Sequence, residues 1–80
     1  MRLPRDLSGT ELAKALGRVG YRVVRQSGSH LRLSTDVAPV HHVTIPAHSS
    51  LKIGTLAAIV GDVADHLKID REELLKRLFG

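Results

Sequence analysis

Two periodicities alternate along the chain. Leu12, Ala15, Leu16 and Val19 recur at the i, i+3, i+4, i+7 spacing of one helical face. Ahead of them, Ser8-Gly9-Thr10-Glu11 has the form of a capping box, with Leu7 and Leu12 as its hydrophobic staple. Gly20 stands where a helix stops in a left-handed turn, so a first helix is predicted over about residues 9–19. The period then drops to two. Tyr21 to Gln26 is β-prone, Ser27-Gly28-Ser29 is turn chemistry, and His30 to Thr35 alternates, so these segments predict a hairpin. With Leu31 and Leu33 inward, His30, Arg32 and Ser34 share the opposite face. A loop at Asp36 to Pro39 leads to a third strand, Val40 to Ile45, ended by Pro46; Val43 and Ile45 face in, His42 and Thr44 face out.

Helical spacing returns after the Ser-rich loop Ala47 to Ser50. Leu56, Ile59, Val60, Val63 and Leu67 predict a second helix from about Gly54 to His66, in which Gly61 marks a point of close packing. Asp70-Arg71-Glu72-Glu73 reads as another capping box, stapled by Ile69 and Leu74, and opens a short helix toward Phe79. The order α-β-β-β-α-α implies an α+β fold: a three-stranded antiparallel sheet with helices on one face, as in a double-stranded-RNA-binding-domain (dsRBD-like) sandwich, plus a short C-terminal helix. No internal repeat or linker interrupts it. One domain is expected over residues 1–80, with a core of about 7–66 and a helical extension of about 67–80.

Size limits the chemistry, because a domain of 80 residues buries only about 60–65% of its unfolded surface and encloses no large pocket. Cysteine is absent, which removes disulfide staples and thiolate zinc sites and accords with a reducing compartment. Met1-Arg2-Leu3-Pro4-Arg5-Asp6 contains no apolar signal core, and the longest apolar run, Leu56 to Val60, is far too short to cross a bilayer. A cytoplasmic location and no membrane partner are expected.

Charge narrows the partner. Residues 1–56 carry eight Lys/Arg against three acids, while residues 57–80 carry four against five. Such a basic portion is the footprint of a polyanion binder, although a solvated face produces the same count. Tyr21 and Phe79 are the only large aromatics, so reading several bases by stacking is excluded and recognition through backbone and shape is expected.

His30 and Arg32 are the strongest candidates for chemistry. Two residues apart on a strand, roughly 7 Å, an imidazole and a guanidinium can meet one phosphate. RNA carries its own nucleophile, so a nuclease needs to take the 2′-hydroxyl proton, support charge on the phosphate and protonate the departing 5′-oxygen. His30 suits the first or the last task, with Arg32 or Arg25 supporting charge and Gly28 allowing close backbone approach. His42 shares the predicted face of His30 and is the better second proton carrier; water and Lys52 are the alternatives. Lys52, just before the second helix, stands where a cation and free helix-end N–H groups meet a phosphate. Arg18, Arg22 and Arg25 read together as basic surface. Ser29 fits a turn better than a nucleophile, since no acid–base triad spacing accompanies it. His30, His41, His42 and His48 invite a metal, but His41 and His42 point to opposite faces of one strand, and no metal or other cofactor is expected.

The order Gly20-Tyr21, Arg25-Gln26-x-Gly28-Ser29-His30, Val43-Thr44-Ile45-Pro46-x-His48 and Leu51-Lys52-x-Gly54-Thr55-Leu56 resembles the HicA toxins over about residues 7–66. The resemblance implies the toxin of a type II toxin–antitoxin system: an mRNA interferase, or endoribonuclease, whose catalytic histidine matches His30. It also implies a HicB-type antitoxin partner and a toxin–antitoxin hetero-oligomer. On that reading Gly28, Ser29, Arg25, Arg32, Lys52 and His42 are the RNA-binding candidates. The chain departs from the family at Ile53, where proline is frequent, and in its longer tail. A non-catalytic RNA-binding module using the same face is the alternative class, and a protein-interaction domain the third.

Overall fold

A computed structural model describes residues 3–80; Met1 and Arg2, and with them the Arg2 charge and the first two residues of the Met1–Asp6 stretch, lie outside the described residues. The elements are α1 (Gly9–Leu16), β1 (Tyr21–Ser27), β2 (His30–Thr35), β3 (His42–Pro46), α2 (Ile53–Leu67) and α3 (Arg71–Phe79). The fold is α+β, with one open antiparallel sheet in the order β1-β2-β3.

Local chemistry sets the ends of α1. Ser8 Oγ accepts the Glu11 N–H at 3.0 Å and Glu11 Oε1 accepts the Ser8 N–H at 2.9 Å, the reciprocal pair the sequence predicts. Hydrogen-bonded by the Ser8 backbone N–H and, to a lesser extent, by the Ser8 side chain, the Glu11 carboxyl titrates below its ordinary value of 4.5. The helix is shorter than predicted. It tightens into a single 3₁₀ turn over Gly17–Val19 before Gly20, at φ +97°, reverses the chain.

The two faces of the sheet differ in kind. Leu31, Leu33, Val43 and Ile45 are buried against Leu12 and Leu16 of α1 and Leu56, Val60 and Val63 of α2, forming one core. His30, Arg32, His42 and Thr44 are exposed on the other face, as alternation requires. Ser34 corrects that pattern. It lies in register with His30 and Arg32 but is only 6% exposed, because this short side chain on the central strand pairs with Arg22 on one side and His42 on the other, both of them longer.

Pro46 closes β3 from within the strand and is paired with His30. The ladder continues one step beyond it, with the Ala47 N–H donating to the Ser29 carbonyl at 2.6 Å. By antiparallel alternation the missing Pro46 N–H therefore faces the free edge, where no partner is required. The segment that follows is tied to the entry of α1. Gly9 N–H donates to the His48 carbonyl at 2.9 Å and Leu51 N–H to the Leu7 carbonyl at 2.7 Å. Gly9 is buried there, and any side chain on it would run into the Pro46 carbonyl.

The tail completes the core through Leu74 and Leu78, both almost fully buried. Asp70 caps α3 by accepting the Glu73 N–H at 2.7 Å, but the second capping box is only half formed: Glu73 instead accepts from Arg77 at 3.0 Å. Gly61 meets the expectation of close packing, since the Arg71 guanidinium lies where its side chain would be. α2 begins at Ile53, one residue earlier than predicted, so the departure from proline falls at the first helical position.

Candidate nucleic-acid interface

The hairpin turn brings His30 to the rim of the uncovered face. Ser27 pairs with His30, leaving Gly28 and Ser29 as a two-residue loop in which Gly28 has φ +58° and Ser29 does not enter the left-handed region. That combination fits a type II′ turn, and glycine is its natural occupant. Nothing lies within 4 Å of the space a Gly28 side chain would fill, so the turn backbone is open to a ligand. The Ser29 carbonyl carries the ladder bond from Ala47, a structural task in keeping with its reading as a turn residue.

A β-bulge decides which arginines reach this face. The β1–β2 register slips between Val23 and Arg25, and the extra residue, Val24, turns Arg25 onto the side where Arg32 stands. Arg25 is paired directly opposite Arg32, with Cα atoms on the order of 5 Å apart. Like charges so placed repel. Among the described residues the ion pairs join Arg22 to Asp36 at 2.7 Å, Arg77 to Glu73 at 3.0 Å and His41 to Asp62 at 3.3 Å, so neither Arg25 nor Arg32 has an acidic partner.

The three arginines grouped in the sequence as basic surface separate. Arg22 is neutralised by Asp36. Arg18 Nη1 donates to the Leu78 carbonyl at 3.0 Å and serves the C-terminal end of α3 on the helical side. Only Arg25 of the three joins Arg32 without an acidic partner. His42 lies on the same face as His30 but pairs with Ser34, whereas His30 pairs with Pro46. Four residues of strand, roughly 13 Å, therefore separate the two pairs, a spacing suited to different nucleotides and not to one shared proton transfer. His42 is nearer to Arg32, whose own partner is Thr44.

Lys52 lies elsewhere. It is the N-cap of α2, with no side-chain capping bond, and lines a groove with Leu3 to Asp6 and the α3 residues Glu72, Lys76 and Phe79. The structure does not bring it to the His30 face. His48 is exposed, and its carbonyl binds Gly9 in the loop. Tyr21 is 2% exposed and Phe79 belongs to the helical groove, so the uncovered face carries no large aromatic ring. No three His, Asp or Glu side chains among the described residues are grouped to hold a metal ion.

One constellation was missed by sequence reasoning. At the opposite end of the sheet from the hairpin, Tyr21 Oη lies 2.6 Å from His41 Nδ1, and His41 Nε2 lies 3.3 Å from Asp62 Oδ1. The His66 ring stacks on His41 at 4.5 Å with an interplanar angle of 11°. Burial, with the Asp62 charge adding to it, pushes the Tyr21 hydroxyl up to about 12. The available signal was the i,i+4 spacing of Asp62 and His66 on one helix, together with the inward parity of His41.

No helix of the described residues is long and apolar enough to cross a membrane. Comparisons with curated proteins and with solved structures return no match. The family model described as the HicA toxin of bacterial toxin–antitoxin systems matches residues 9–68, from the first residue of α1 to just past the end of α2. The span contains the hairpin, all three strands and the basic face, and on this match the chain belongs to the HicA toxin family.

Proposed function

We propose that the chain is a toxin that acts as an endoribonuclease on mRNA in the cytoplasm, with His30 moving a proton at the scissile phosphate. The observation that carries this reading is the pairing of two acid-free arginines, Arg25 and Arg32, beside exposed His30 on a face that no helix covers. A phosphate between the guanidinium groups would turn their mutual repulsion into attraction for the substrate.

In the proposed reaction the 2′-hydroxyl attacks the adjacent phosphorus, the P–O5′ bond breaks, and a proton is removed from the first oxygen and delivered to the second. His30 performs one of these transfers and contributes about 10²–10⁴-fold to the rate. Arg32 and Arg25 hold the charge that develops on the phosphoryl oxygens. Gly28 and Ser29 present open backbone to the RNA strand. His42 contacts a neighbouring nucleotide, and Lys52 a more distant phosphate along a separate track. The nucleophile is internal to RNA, so the scheme requires no metal ion.

A HicB-type antitoxin, on this proposal, neutralises the toxin by covering His30 and the cationic pair in a hetero-oligomer. The family match and the absence of acids from Gly17 to Ser34 support a partner that brings negative charge to this face. The test is incubation of the native chain and His30→Ala with mRNA in excess chelator, with cleaved ends mapped by sequencing. Cleavage by the native chain and its loss in a folded His30→Ala variant are expected. Equal cleavage by both would overturn the assignment, and salt-sensitive binding without cleavage would favour a non-catalytic RNA-binding module.

A further inference from the structure

The Tyr21–His41–Asp62 chain lies outside the machinery proposed above, yet it holds the residue immediately before His42. His41 is anchored four ways. Its N–H donates to Thr35 Oγ1 at 2.9 Å and its carbonyl accepts the Thr35 N–H at 3.1 Å. Its ring reaches Tyr21 on β1 and Asp62 on α2. β1, β2 and α2 thus converge on one imidazole at the point where β3 begins.

We infer that His41 is a positioning residue that sets the outward direction of His42 on the cationic face. The inference about His42 rests on the RNA reading of that face. Adjacent residues of a strand point to opposite sides, so an inward-fixed His41 compels an outward His42. A carboxylate only accepts, so the His41 ring N–H on Nε2 is directed at Asp62, and Nδ1 accepts from the Tyr21 hydroxyl.

Tyr21 is almost fully buried, so its hydroxyl is held at this contact, and the stacked His66 ring covers one face of the imidazole.

The test is a double-substitution cycle in a His30→Ala background, so that RNA stays intact. Binding of a fluorescein-labelled single-stranded RNA oligonucleotide is measured for Tyr21→Phe, His42→Ala and the two together. Each single change is expected to weaken binding about three- to tenfold, and the double variant to be no weaker than the worse single. Losses that multiply would overturn the positioning role. Independently of RNA, protection of the Thr35 and His41 amides from hydrogen exchange is expected to fall at least about tenfold in Tyr21→Phe relative to the native chain at the same pH. Equal protection in both proteins would overturn the latch. If the background protein binds no RNA, the RNA reading and the role through His42 both fall, while the exchange measurement still decides the latch.

Discussion

The two ends of the sheet place histidines in opposite circumstances. At the hairpin end His30 is exposed beside two cations that have no acidic partner, while at the other end His41 is tied to a phenol, a carboxylate and a second imidazole. The first arrangement leaves polar capacity unspent on the fold and available to a ligand. The second consumes it internally, and none of the buried side-chain nitrogen or oxygen atoms among the described residues lacks a partner. One residue type is thus open to a ligand where the fold leaves it free and a structural joint where the fold encloses it.

The largest expected effect breaks this comparison at the hairpin end. His30→Ala should reduce RNA cleavage at least about 100-fold while leaving the melting temperature within about 2 °C, since an exposed side chain contributes little to folding; cleavage assays and thermal scans on one preparation separate the two. At the other end the signs reverse. Tyr21→Phe should cost about 1–2 kcal/mol of stability in urea titrations by removing the donor to His41, while cleavage at saturating RNA remains dependent on His30.

Smaller effects sharpen the contrast. Arg32→Ala should lower the dependence of RNA affinity on salt by about 0.7 of a unit of slope, the signature of one lost phosphate contact on a single strand. It should also leave stability unchanged or raise it by a few tenths of a kcal/mol, because a like-charged cross-strand pair is relieved. The smallest effect belongs to Glu11. Its folded carboxyl titrates below the ordinary value of 4.5, so its contribution is present above the unfolded value and is lost as pH falls through the lowered folded value. Glu11→Gln should therefore flatten the acid limb of a stability–pH profile measured by denaturant titration.

Much of this architecture was legible because its signals are local. The Ser8–Glu11 cap, the turn at Gly28 and the alternation around Leu31 and Val43 each depend on neighbours within a few residues, and each occurs as predicted. Illegible features needed long-range partners. Arg18 looked like surface charge until the carbonyl of Leu78, sixty positions away, was seen to receive it. The β1 bulge changed the parity of Arg25, which no alternation count anticipates. Pro46 is compatible with β3 because its side of the strand is a free edge, a property of the sheet and not of the residue. The candidate site shows the same division: His30 and Arg32 could be paired from their spacing, whereas the distance between His30 and His42 required the register of β3.

Gly9 touches no residue of the cationic face, yet a hydrogen atom in place of a methyl group lets α1 seat against the Pro46 carbonyl, one strand from His30. If expression of the chain arrests growth, the single base changes by which cells escape should include two of different kinds. One removes the proton carrier proposed at His30; the other adds one carbon atom at Gly9 and unseats the strand end that borders it. A genetic map of escape would then mark a position with no chemistry of its own, and the mark would report how the toxin is assembled.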